Sequence, residues 1–113
     1  MRGDRVQAVL KALAAPRRVA ILKLVVGREL PAGEIARRFK TSRPAISQHL
    51  RVLTAAGLLV QRRVGTTRLY RARPETMAEL RTYLDDFWAE GLSALKREVE
   101  SAARPGGRPR GRR

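Results

Sequence analysis

The sequence predicts a mainly α-helical fold carrying one β-hairpin. Apolar residues recur at helical spacing in five separate segments, whereas residues 58–72 read as two strands around a turn. The scale follows from the length: 113 residues, 43% of them apolar, suffice for one domain with a modest core.

Val6, Val9, Leu10 and Leu13 mark a first helix of about ten residues, closed by Pro16. Pro16 also suits the start of a second helix. Ile21, Leu22, Leu24, Val25 and Val26 make that helix apolar on most sides, hence buried, and Gly27 with Pro31 ends it. Residues 32–39 form a short third helix with Ile35, Ala36 and Phe39 inward, followed by a break at Lys40 and Thr41. A fourth helix spans residues 42–56, with Ser42 as N-cap and Pro44 in the first turn. At 100° per residue, Ile46, Leu50 and Leu53 face the core, while Pro44, Ser47, Gln48 and Arg51 cluster opposite. Gly57 stops this helix, and the hairpin that follows has Val64-Gly65-Thr66-Thr67 at its tip between Arg62, Arg63 and Arg68. From residue 75 to residue 103 the helical pattern returns, with Met77, Leu80, Leu84, Phe87, Trp88, Leu92, Leu95 and Val99 in one stripe. Such a helix is about 43 Å long, more than a core of this size can cover, so a second copy of the chain is the expected cover.

Charge divides the chain by role. The net charge is +15 at pH 7, which points to a polyanionic partner such as nucleic acid. Residues 35–74 hold ten basic and no acidic groups, a concentrated positive surface, whereas residues 75–100 hold three basic and seven acidic groups, as on a solvated helix face. The last ten residues, 104–113, combine five Arg with Pro and Gly and no apolar side chain, so a disordered Arg-rich tail is expected beyond a folded domain of residues 1–103. Zero Cys and one His exclude a disulfide framework and a Cys/His zinc site, and no cofactor is expected. Exposed carboxylates at Asp85, Asp86 and Glu90 read as solvated groups, not as a metal site. No nucleophile, base and orienting group come together, which argues against an enzyme. With no long apolar run and no signal peptide, the expected location is the cytoplasm, on the nucleoid, with no membrane contact.

A short helix, a tight turn, a Ser-capped helix with a polar outer face and a basic hairpin together spell a winged helix-turn-helix. The sequence here resembles the ArsR family of bacterial winged-helix repressors. LKALAAPRRVAIL at residues 10–22 is similar to the family's ALADPTRRAIL opening. SRPAISQHLRVL at residues 42–53, followed by Ala56-Gly57-Leu58, resembles its S-x-P-x-V-S-x-H-L-x-x-L-x-x-A-G-L recognition segment. The resemblance implies a homodimer built from the first and last helices that sits on an operator and blocks transcription. It also implies DNA contacts at Arg43, Pro44, Ser47 and Gln48. The family's metal-sensing ELCVCDL segment is replaced here by ELPAGEI, and the last helix holds no His, so a non-metal-sensing member is expected.

The expected double-stranded DNA surface therefore comprises Ser42, Arg43, Pro44, Ser47, Gln48 and Arg51 on the fourth helix and Arg62, Arg63, Thr66, Thr67 and Arg68 on the wing. The expected dimer interface comprises Val6, Val9, Leu80, Leu84, Phe87, Trp88, Leu92 and Leu95; with Tyr83, the aromatic residues read as dimer core and not as a ligand groove. His49 reads as a helix-packing residue, and Arg18 as a group that satisfies carbonyls or pairs with Glu29 or Glu34. The competing function is a nucleoid-type protein that coats DNA with little sequence preference. No small-molecule effector is legible.

Overall fold

The structure is a computed structural model and describes residues 3–103. The elements follow in the order α1 (Gly3–Ala12), α2 (Pro16–Leu24), β1 (Leu30–Pro31), α3 (Ala32–Phe39), α4 (Arg43–Ala55), β2 (Leu59–Val64), β3 (Thr67–Ala72) and α5 (Pro74–Ala103). The mainly helical fold with a hairpin wing is thus the observed one. The expected Arg-rich tail lies outside the described residues.

Local chemistry sets the boundaries. Pro16 opens α2, where its missing N–H costs nothing. Ser42 caps α4, its Oγ accepting from the Ala45 N–H at 3.2 Å. Between α3 and α4, Lys40 takes a left-handed conformation (φ 52°, ψ 44°) and its N–H bonds back to the Ala36 carbonyl, which makes the turn tight. Gly57 sits at φ 82° after α4, a conformation that side chains resist. The wing turn is Gly65-Thr66, with Gly65 at φ 63° as a two-residue hairpin loop requires.

The sheet has three antiparallel strands in the order β1-β3-β2. Strand β1, which periodicity does not reveal, pairs Leu30 with Tyr70 and Pro31 with Leu69. Pro31 tolerates this place because β1 is an edge strand. Backbone bonds from Ala72 N–H to the Val25 carbonyl and from Arg73 N–H to the Leu58 carbonyl, both 2.9 Å, fasten the end of β3 to the helical layer.

The chain divides into two units after Leu80. In the first, Val9, Ile21, Val25, Ile35, Ile46, Leu50, Leu53, Leu58 and Leu59 form a fully buried core, with Phe39, Tyr70, Met77 and Leu80 packed around it. Val6 and Val9, expected at a dimer interface, lie inside this chain's own core, and Leu80 is half-buried against it. Val6 and Val9 correct the expectation: α1 spends its apolar side on α4 and its neighbours, leaving Leu10 exposed instead. Val26, expected in the buried helix, lies past its end and is exposed. One buried polar side chain, Thr76, closes the unit: its hydroxyl donates to the Gly57 carbonyl at 2.6 Å and accepts from Arg5 Nη2 at 3.3 Å.

In the second unit, residues 81–103 continue α5 as a helix with Leu84, Phe87, Trp88, Leu92, Leu95 and Val99 exposed. Phe87 and Trp88 meet edge to face, with centroids 5.5 Å apart. Half or more of the surface of each of Phe87, Trp88, Leu92, Leu95 and Val99 faces outward, so large apolar side chains follow one another along this helix uncovered by their own chain.

Candidate nucleic-acid interface

Helix α4 separates its two sides cleanly. Ile46, Leu50 and Leu53 are buried, while Pro44, Gln48 and Arg51 are exposed and Ser47 is half-buried. Gln48 and Arg51 share a bond, Arg51 Nη1 donating to Gln48 Oε1 at 2.5 Å, one turn apart on the outer face. Ser42 spends an oxygen lone pair on its cap and keeps its O–H as a donor.

Beside this face lies the wing. A cavity of about 540 Å³ opens between α4 and the hairpin, lined by Arg43 and Ser47 on one side and Arg63, Thr66, Thr67, Arg68 and Tyr70 on the other. No carboxylate lines it. Arg43, Arg63 and Arg68 make no ion pair with the described residues. The result is a concave surface with three free guanidiniums, hydroxyl donors and a nearby amide, the chemistry that duplex DNA requires for phosphate contact and base-edge reading.

Of the sequence-predicted contacts, the structure brings Arg43, Ser47, Arg63, Thr66, Thr67 and Arg68 around this one cavity. Arg51 lies along a neighbouring concavity with Ser47, Gln61, Arg68 and Tyr70. Arg62 is placed differently: its guanidinium forks onto Glu29, at 2.7 Å and 2.9 Å. Gln61 and Tyr70 escaped the sequence reading, although strand alternation from Arg63 and Arg68 reaches both.

Behind α4, the α2 arginines support the scaffold. Arg18 Nε donates to the Ala12 carbonyl at 2.5 Å, the carbonyl role expected of it, while Glu29 and Glu34 pair elsewhere. Arg18 Nη1 also lies 3.5 Å from Nδ1 of half-buried His49. Burial, then the nearby Arg18 and Arg17 charges, hold His49 below the ordinary imidazole range, which favours the neutral ring. Arg17 caps the Phe39 ring at 4.9 Å from its centroid. Among the described residues, no group of three His, Cys, Asp or Glu side chains could hold a metal ion.

The fold and the α4–wing surface together define a DNA-binding transcriptional regulator of the winged helix-turn-helix class. Residues 15–60 match the arsR family of bacterial regulatory proteins. The chain is 43% identical to the HTH-type transcriptional regulator Rv2034 of Mycobacterium tuberculosis, over 80% of this chain and 85% of the relative. It is 32% identical to the transcriptional repressor SdpR of Bacillus subtilis, over 77% of this chain and 97% of the relative. Among solved structures, the homodimeric winged helix-turn-helix DNA-binding domain of a possible ArsR-family regulator from Mycobacterium bovis superposes with a TM-score of 0.64 and 34% identity, covering 80% and 84% of the two chains. The chain belongs to the arsR family of bacterial regulatory proteins. That membership makes it a regulator of transcription and not an enzyme.

Proposed function

We propose that the chain is a repressor that binds a pseudo-palindromic operator as a homodimer, reading bases through Ser47 and Gln48 and holding phosphates through Arg43, Arg51, Arg63 and Arg68. The observation that carries this reading is the α4 face: it is acid-free and presents Ser47, Gln48 and Arg51 beside a cavity where Arg43, Arg63 and Arg68 meet without ion-pair partners among the described residues. Gln suits the N6/N7 edge of adenine, whereas Ser donates or accepts at several edges. A pure coating protein needs only charge; the uncharged Ser47 and Gln48 at the centre of the face add the hydrogen-bonding pattern on which base discrimination rests.

Dimerisation is supported by the exposed stripe from Leu84 to Val99, which a second copy covers by symmetry, and by the homodimeric M. bovis relative. Two recognition helices then meet half-sites about 34 Å apart, one helical turn of DNA. Repression follows the reading of SdpR and implies a place in the cytoplasm; among the described residues no helix is long and apolar enough to cross a membrane.

The test is footprinting on fragments selected from the source genome, with bulk genomic DNA as competitor. A two-fold footprint that survives competition by about 10³ or more supports the operator reading. A continuous footprint lost at equal competitor establishes the coating reading, and a single asymmetric half-site removes the homodimer.

A further inference from the structure

The wing tip presents three arginines, and the hairpin register sorts them onto two faces. In an antiparallel pair directly opposed residues share a face, and faces alternate along each strand. Leu59 with Ala72, Gln61 with Tyr70 and Arg63 with Arg68 therefore share one face, while Val60 with Arg71 and Arg62 with Leu69 share the other. The first face begins in the core at Leu59 and Ala72 and ends in the cavity beside α4. On the reverse face, Glu29 from the segment between α2 and β1 accepts both bonds of the Arg62 fork, Nε to Oε2 at 2.7 Å and Nη2 to Oε1 at 2.9 Å.

We propose that Arg62 is a positioning residue which clamps the wing to Glu29, and that the wing's DNA-facing charge is supplied by Arg63 and Arg68. The proposal rests on the DNA-binding reading above. A bidentate Arg–carboxylate pair fixes direction as well as distance, so it sets where β2 lies relative to the preceding segment. Bonding to Arg62, and the attraction of Arg62 and Arg71, hold the Glu29 carboxyl below the usual carboxylate range, as a persistent pair requires. Arg63 and Arg68 differ in kind. They oppose each other directly with like charge, which destabilises a free hairpin, and a phosphate placed between them removes that repulsion.

The experiment uses the full chain and a random-sequence DNA duplex, with affinity followed by fluorescence anisotropy across a salt series. Each lost phosphate contact lowers the log–log salt slope by about one. Arg63→Ala and Arg68→Ala are expected to lower the slope by that amount each. Arg62→Ala and Glu29→Gln are expected to keep the wild-type slope, to weaken binding equally, and to weaken it no further when combined. The exchanged pair, Glu29→Arg with Arg62→Glu, is expected to restore binding. A slope lowered by about one in Arg62→Ala, or an exchanged pair that binds worse than Arg62→Ala, overturns the clamp while leaving DNA binding intact. Unchanged slopes in Arg63→Ala and Arg68→Ala overturn the facing assignment. Absence of salt-dependent binding by the wild type overturns the DNA reading itself. A readout independent of DNA is NMR titration of Glu29: its carboxyl rises toward the ordinary range in Arg62→Ala, with the Arg71 attraction left in place, and a value that does not rise refutes the pair.

Discussion

Replacing Thr76 by Val isolates the hydroxyl bond that ties the start of α5 to Gly57 after α4. The two side chains are nearly isosteric, so the change removes a hydroxyl without opening a cavity. The lost contacts are the 2.6 Å bond to the Gly57 carbonyl and the longer 3.3 Å bond from Arg5. Arg5 also lies 3.6 Å from Glu79 and is half exposed, so its loss contributes little. The main cost is the Gly57 carbonyl, deprived of a partner beside a side chain that is 0% exposed. A part-buried acceptor stripped of its donor costs about 1–2 kcal/mol, the lower part of the range for fully buried groups. For a domain of this size that lowers Tm by roughly 4–8 °C per kcal/mol. The assay is urea unfolding at one fixed protein concentration, since association shifts apparent stability, with the m-value checked for constancy. Thr76→Ser, which keeps the hydroxyl and loses one methyl, is expected to fall by only about 0.8 kcal/mol. A Val variant as stable as wild type, or less damaged than the Ser variant, refutes the reasoning.

Ser42→Ala is expected to cost about 1 kcal/mol by removing the α4 cap, measured by thermal melting, with Ser42→Gly losing only a few tenths. Leu53→Ala is expected to cost about 2–5 kcal/mol, whereas Gln48→Ala on the same helix shifts stability by no more than about 0.5 kcal/mol yet weakens operator binding; urea midpoints and footprinting separate the two. His49 is held below its unfolded value of 6.5, so the unfolded chain binds its proton first. The associated stability is complete above that value and is lost as pH falls through it and then through the depressed folded value; urea midpoints over about pH 5 to 8 are expected to decline in the acid half, and His49→Gln to flatten that limb. Trp88→Glu, in the middle of the exposed α5 stripe, is expected to yield a monomer by sedimentation, and an unchanged dimer excludes this stripe as the interface.

Where a residue's partners lie within a turn or two of it, the sequence was legible. The bounds of α3, the Ser42 cap and the two sides of α4 all follow from local spacing, and each is found in the structure. Strand β1 escaped because two residues carry no period, and one is Pro; its identity depends on Leu69 and Tyr70 nearly forty positions away. Val6 and Val9 were misplaced for a related reason. An apolar side announces that something covers it, not whether the cover belongs to the same chain. Arg62 and Arg63 look alike as neighbours in sequence, and strand alternation alone separates them; the carboxylate that engages Arg62 comes from 33 residues upstream.

The two sides of α4 share no residue, and this has an evolutionary reading. On the proposed reading, changes at Ser47 or Gln48 would alter which site is read at little thermodynamic risk, while Ile46, Leu50 and Leu53 keep the scaffold intact. A gene copy freed by duplication can therefore drift to a new promoter one outward side chain at a time, passing through folded intermediates throughout.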